Sequence, residues 1–137
     1  METSSNWLLW TVAVIAGVLI LVIWQIIRKN RPREGDHVFL ASRVTAGNRI
    51  FPAQVIVTSS SVTMLKPQFI GRVEESLHIN HVASIKIDTN LMFSDVLIET
   101  TGGHNPVRCH GHSKGDAIEI KKLIEQFQTA YYRANKQ

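Results

Sequence analysis

Residues 7–27 read WLLWTVAVIAGVLILVIWQII, with Thr11 and Gln25 the only clearly polar side chains and no charge anywhere. As a helix rising about 1.5 Å per residue, this run is about 31 Å long, the thickness of a bilayer's hydrocarbon layer. No water reaches the backbone there, so a helix, which satisfies its own amides, is the form that can cross. Trp7 and Trp10 at one end and Trp24 at the other fit an aromatic belt at the two interfaces. A cleaved secretory signal is the rival reading. Such a signal starts basic, has a shorter apolar stretch and ends in small residues. Here METSSN carries no Lys or Arg, and bulky residues and Arg28 follow the run. A buried core helix would not normally be apolar on every face in so small a chain. The run is therefore predicted to be a retained transmembrane helix. Ala13 and Gly17 form a small-xxx-small pair, a spacing that also arises often by chance.

All 15 Lys and Arg follow residue 27, and Arg28, Lys29, Arg31 and Arg33 follow at once. The positive-inside rule then orients the chain. Residues 1–6 form a short extracytoplasmic tail, and everything from residue 28 is cytoplasmic, at a bacterial inner membrane. The basic juxtamembrane linker, residues 28–36, is polar, holds Pro32 and Gly35 and has no periodicity. Its four cations, Arg28, Lys29, Arg31 and Arg33, are the expected contacts to anionic lipid headgroups. The single cysteine, Cys109, excludes an internal disulfide framework and suits a reducing compartment.

Residues 37–135 are predicted to be one mainly-β domain closed by a helix. Seven segments of period two follow one another between short turns: 37–44, 50–58, 61–66, 72–79, 84–88, 94–100 and 106–111. Short strands in regular succession argue for an antiparallel sandwich or barrel. Pro52 places the start of the second at an edge or bulge. In the fourth, Glu74 and Glu75 fall on opposite faces and so cannot by themselves pair as catalytic carboxylates. At the end of the chain Ser113 is a plausible helix N-cap, with Asp116 three residues on. Ala117, Ile120, Ile124, Phe127 and Tyr131 then recur at spacings of three and four, a single apolar stripe that Ile118, Leu123 and Ala130 widen.

Several short motifs accompany that order of elements. They are Val57-Thr58 at a strand end, Val62 to Lys66, the turn Gly71-Arg72-Val73-Glu74, the segment from Ile79 to Ile85, Ile98-Glu99-Thr100-Thr101-Gly102-Gly103, and the helix entry from Gly111 to Ala117. Together they resemble the membrane-linked bacterial pleckstrin-homology-like domains, over about residues 37–133. The resemblance implies a seven-stranded antiparallel barrel or sandwich capped by a C-terminal helix. It also implies a protein-interaction or self-assembly role rather than catalysis. Other members of the superfold hold phosphoinositides with basic residues around the first hairpin. Here Arg43 and Arg49 flank that hairpin without forming a dense cluster, and the tryptophan common in the closing helix of eukaryotic members is absent.

The residues carry little catalytic chemistry. Gly102-Gly103 lacks the Lys-Ser/Thr of a phosphate loop, and there is no G-x-S-x-G elbow. The net charge of +4 is modest and scattered, so no nucleic-acid footprint is expected. The one constellation with metal-ligating chemistry is His104, Cys109, His110 and His112. Its spacing matches no standard zinc pattern. On an extended strand His110 and His112 would share a face, with Cys109 on the other, packed inward beside Val107.

Two turns are candidate contact surfaces for a partner or the membrane, and Arg43 and Arg49 are candidate contacts as well. Phe69 and Ile70 sit between Lys66 and Arg72, and Met92 and Phe93 lie in a second apolar loop that begins at Asn90. The alternative is that these side chains fold back over an open end of the barrel. The expectation is a single-pass inner-membrane protein without enzymatic activity or cofactor. Its cytoplasmic domain would be an assembly or docking platform, as a homo-oligomer or a subunit of a membrane complex in contact with lipid. A tethered sensor of a small ligand or metal, using the His-rich segment, and direct anionic-lipid recognition are the alternatives.

Overall fold

The structure is a computed structural model that describes residues 3–31, 37–103 and 105–136. The chain divides into two compact units, Met1–Arg31 and Pro32–Gln137.

The first unit is one helix, α1 (Thr3–Lys29). Within it, Asn6–Lys29 has a mean hydropathy of 2.5 and is long and apolar enough to cross a membrane. Trp7, Trp10, Ile15, Leu21 and Trp24 are each more than half exposed, so the apolar surface has no core of its own to enter. The hydroxyl of Thr11 donates to the carbonyls of Trp7 (3.1 Å) and Leu8 (2.9 Å), so this polar side chain is satisfied inside the helix. At the far end the Arg28 guanidinium lies 5.4 Å from the Trp24 ring centroid, a cation–π contact one turn apart.

Among the described residues the second unit contains seven strands in two antiparallel sheets. The first sheet has the order β1 (His37–Leu40), β2 (Gln54–Val57), β3 (Ser61–Pro67), β4 (Arg72–His78). A 3₁₀ turn, Ile79–His81, leads to the second sheet, β5 (Val82–Thr89), β6 (Ser94–Thr100) and β7 (Val107–His112). The helix α2 (Lys114–Ala134) follows. Seven strands and then one helix is the order that the sequence resemblance implies, but the strands form two sheets and not a closed barrel. Two expected strands are also shorter. The first stops at Leu40 because Thr45 N bonds Ser42 O (3.2 Å) and Asn48 N bonds Thr45 O (3.1 Å), winding residues 42–48 into turns. The second starts only at Gln54, after Pro52, which has no N–H to give a ladder.

The core lies between the sheets and under α2. Val55, Val57, Val62, Met64, Val96, Ile98 and Cys109 meet Ala117, Ile120 and Ile124 of the helix. Ser113 caps α2 as expected, its hydroxyl accepting from Asp116 N at 3.1 Å. The stripe is narrower than the sequence suggests. Phe127 and Tyr131 are half-buried against the core, whereas Ile118 is 63 % exposed and Ala130 is exposed, so neither widens it. Gln128 Nε2 donates to Val82 O (2.7 Å) and pins the helix to the start of β5.

Candidate functional site

Two stacked sheets leave two seams, and this domain treats them differently. At one seam β1 approaches β7. Ser42 N donates to Gly111 O at 2.8 Å. The buried Asn48 side chain ties the β1–β2 loop to itself and to β7: Nδ2 donates to Thr45 Oγ1 (2.9 Å) and His110 O (3.2 Å), and Oδ1 accepts from Ala53 N (3.0 Å). Gly111 has φ 81°, and a Cβ there would collide with the Thr45 side chain. On the next strand Asp95 accepts from His110 Nδ1 (2.7 Å) and from Gly111 N (3.0 Å). Burial works against ionisation of Asp95, but the bonds from His110 and Gly111, with the nearby Arg108 charge, hold its carboxyl below the usual range.

The same knot corrects the reading of the His-rich segment. Between the pairs Val96–Cys109 and Ser94–His112, β6 advances two residues and β7 three. The extra residue is a bulge at the positive-φ Gly111. It turns His112 to the side of Cys109, so His110 and His112 do not share a face. Cys109 and His112 are both fully buried, and the His110 side chain is half exposed on Asp95. Burial, with Glu75 and Asp95 in range, pushes the Cys109 thiol up to about 12, so it is a packed thiol and not a nucleophile at neutral pH. Burial pushes His112 below its usual value. His104 lies outside the described residues. Among the described residues no three His, Cys, Asp or Glu side chains converge where they could hold a metal ion.

At the other seam β4 is the outer strand of its sheet. All of its residues are exposed except the half-buried Leu77. Its register with β3 sets Glu75 opposite Met64 and Leu77 opposite Val62. Directly opposed residues share a face, so Val73, Glu75 and Leu77 look toward the interior from a strand whose outer edge pairs with no other strand among the described residues. Beside it runs a groove of ≈ 530 Å³, lined by Glu75, Ser76 and Leu77, by His81, by Thr100, Thr101 and Gly102, and by Asn105, Pro106 and Val107. Among the described residues Glu75 is its only carboxylate, and no Lys or Arg lines it. The sequence offered one signal for this site. A strand that carries a charge at a core-facing position is a protected edge, and Glu75 occupies such a position.

The expected contact residues are dispersed. Phe69 is 60 % and Ile70 90 % exposed at the β3–β4 turn, and the Phe69 ring meets Phe51 edge-on at 6.1 Å. Arg43 and Arg49 are exposed in the β1–β2 loop. In the β5–β6 turn Met92 is 70 % exposed, but Phe93 is half-buried, and the more exposed side chain is Leu91 at 94 %. Leu91 is therefore the apolar tip of that turn. Of the linker cations, Arg28 and Lys29 end α1 and Arg31 is exposed; Arg33 lies outside the described residues.

No family model matches the chain, and no curated protein does. Among solved structures, a DUF1696 family protein with a pleckstrin-homology domain from Shewanella loihica PV-4 is similar at 17% identity with a TM-score of 0.46, covering 69% of this chain and 83% of that one.

Proposed function

We propose that this chain is a single-pass membrane protein whose pleckstrin-homology-like domain is a non-enzymatic docking module on the cytoplasmic side. The observation that carries the reading is β4. It is an outer strand, exposed except at the half-buried Leu77, with a groove beside it to which Leu77, Pro106 and Val107 give apolar surface. An open strand edge supplies main-chain donors and acceptors to a partner, and a neighbouring groove supplies side-chain selectivity. The apolar tips Phe69, Ile70, Leu91 and Met92 offer further contact area. Arg28 and Lys29 in the last turn of the apolar helix, with Arg31 just beyond it, favour a cytoplasmic domain held against anionic headgroups.

Two experiments test this. For topology, the buried Cys109 is a silent background for single introduced cysteines. Asn6→Cys should be labelled in intact cells by an impermeant reagent, and Glu125→Cys only after permeabilisation. Labelling of Glu125→Cys in intact cells contradicts the orientation. For docking, a photo-crosslinking residue at Ser76 of the full-length chain in native membranes should give a discrete adduct, and one at Glu119 on the outer face of α2 should not. Absence of any adduct at Ser76 removes the docking role of β4.

A further inference from the structure

The docking reading leaves open what docks; the inference below rests on that reading and names the occupant's chemistry. We propose that the β4 groove takes an extended peptide segment that adds as a strand to the free edge of β4 and carries a Lys or Arg between two apolar side chains, in an apolar-x-cation-x-apolar pattern.

The pattern follows from the inward face of β4. Val73, Glu75 and Leu77 alternate along it. An added strand sets one side chain across from each of these, all on one face, at a period of two. Across from Leu77 the occupant meets the Leu77, Pro106 and Val107 wall, which suits an apolar group. Across from Val73, itself 39 % exposed, it meets apolar surface again. Between them stands Glu75. The nearest cation on that face, Lys66, sits opposite Val73 at the other end of the strand and does not line the groove. A carboxylate flanked by Val73 and Leu77 is matched by a cation on an apolar stem, which Lys and Arg provide.

Charge also argues against a second copy of the chain as the occupant. Glu75 is the central residue of Arg72–His78. Two β4 edges paired antiparallel about that centre would place Glu75 across from its own counterpart, which is unfavourable. The inward charge thus discourages self-pairing while suiting a cationic partner. Location points the same way. At the cytoplasmic face of a membrane, the segments that flank neighbouring spans are enriched in Lys and Arg. We assign the occupant to this class: a basic, extended segment next to another protein's membrane span.

The test uses the full-length chain in nanodiscs of neutral lipid and a fluorescent peptide of alternating Val and Thr with one central Lys in a Val position. A matched peptide carries Glu there instead. By fluorescence anisotropy the Lys peptide should bind at least about 10-fold more tightly than the Glu peptide, the order of effect of a close charge pair. Glu75→Lys should reverse that preference, a rescue that a folding defect cannot produce. Methylation of alternate backbone nitrogens in the Lys peptide should abolish binding. Binding of neither peptide, equal binding of both, or a preference unchanged by Glu75→Lys overturns the proposal. Binding that survives backbone methylation overturns strand addition. If Ser76 gives its adduct in native membranes while the peptides fail to discriminate, β4 docks a partner and the cationic chemistry is wrong. If both fail, the docking reading falls as well.

Discussion

The seam between β1 and β7 and the groove beside β4 are two solutions to one problem: each sheet of a two-sheet domain has edges. At the first, a backbone bond from Ser42 to Gly111, the threefold side-chain bonding of Asn48 and the Asp95–His110 contact close the edge, while the buried His112 ring has no hydrogen-bond partner among the described residues. At the second, the strand is left exposed, with a carboxylate on its inner face. The difference teaches where stability and function separate. Substitutions at the closed seam should cost folding and leave binding chemistry untouched, and substitutions at the open edge should do the reverse.

The largest effect is expected at Gly111. Gly111→Ala adds a Cβ at a positive φ and drives it into Thr45. A left-handed non-glycine residue costs about 1–2 kcal/mol and overpacking about 1–3 kcal/mol more. Urea unfolding of the full chain in detergent, followed by far-UV circular dichroism, should show a loss of several kcal/mol. The three tryptophans, at positions 7, 10 and 24, all lie in α1 and would not report on the domain. A loss under about 1 kcal/mol would mean the seam yields easily.

Next comes Asn48→Ala, which strands the buried Ala53 N–H and His110 carbonyl. Unsatisfied buried groups cost about 1–3 kcal/mol each, so a loss of about 2–3 kcal/mol is expected by the same measurement.

A pH titration sharpens the contrast further. His112 is fully buried on the seam, with Asp116, Asp95 and His110 facing it, and its folded value lies below the ordinary 6.5. The unfolded chain therefore binds a proton near pH 6.5 while the folded chain resists it. The stabilisation is complete above about pH 6.5 and is lost as the pH falls toward the folded value. Asp95, also held below its ordinary value of 3.8, contributes above that value and is lost only at lower pH. Melting temperature should thus fall in two stages on acidification. His112→Leu should remove the first stage and keep the second. A first stage that survives His112→Leu assigns it to another group.

The smallest stability effect is expected at the open edge. Glu75→Lys should change stability by less than about 0.5 kcal/mol, as an exposed substitution does, although it is expected to reverse peptide preference. A large loss of stability there would mean that β4 belongs to the closed part of the molecule.

What was legible in the sequence follows the range of the interactions. The alternation of Val62 and Met64 with Thr63, or of Val96 and Ile98 with Leu97, reports strands because it is local. So does the stripe of Ala117, Ile120 and Ile124 after the Ser113 cap. The anchor-length helix is legible for the same reason. The bulge at Gly111 was not, because a glycine in a strand says nothing of which neighbour its missing Cβ makes room for. Nor was Asn48, whose partner His110 is 62 residues away. The pairing of His110 with His112 on one face failed for that reason: strict period two holds only until a residue is inserted. Phe93 and Leu91 exchanged roles because a loop's apolar residues divide between core and solvent according to tertiary geometry. The edge position of β4 was visible only as Glu74 and Glu75 on opposite faces, a pattern that excludes a carboxylate pair but does not reveal which of them faces the interior.

Hydrogen exchange of the full-length chain in nanodiscs, without any partner, tests the asymmetry of the two seams most directly. The account predicts rapid exchange of the outward amides of β4 and slow exchange of β2 and β6 and of Ser42 N, which is bonded to Gly111. Protection of β4 equal to that of β2 would show that its edge is already occupied within the chain, and would contradict the account.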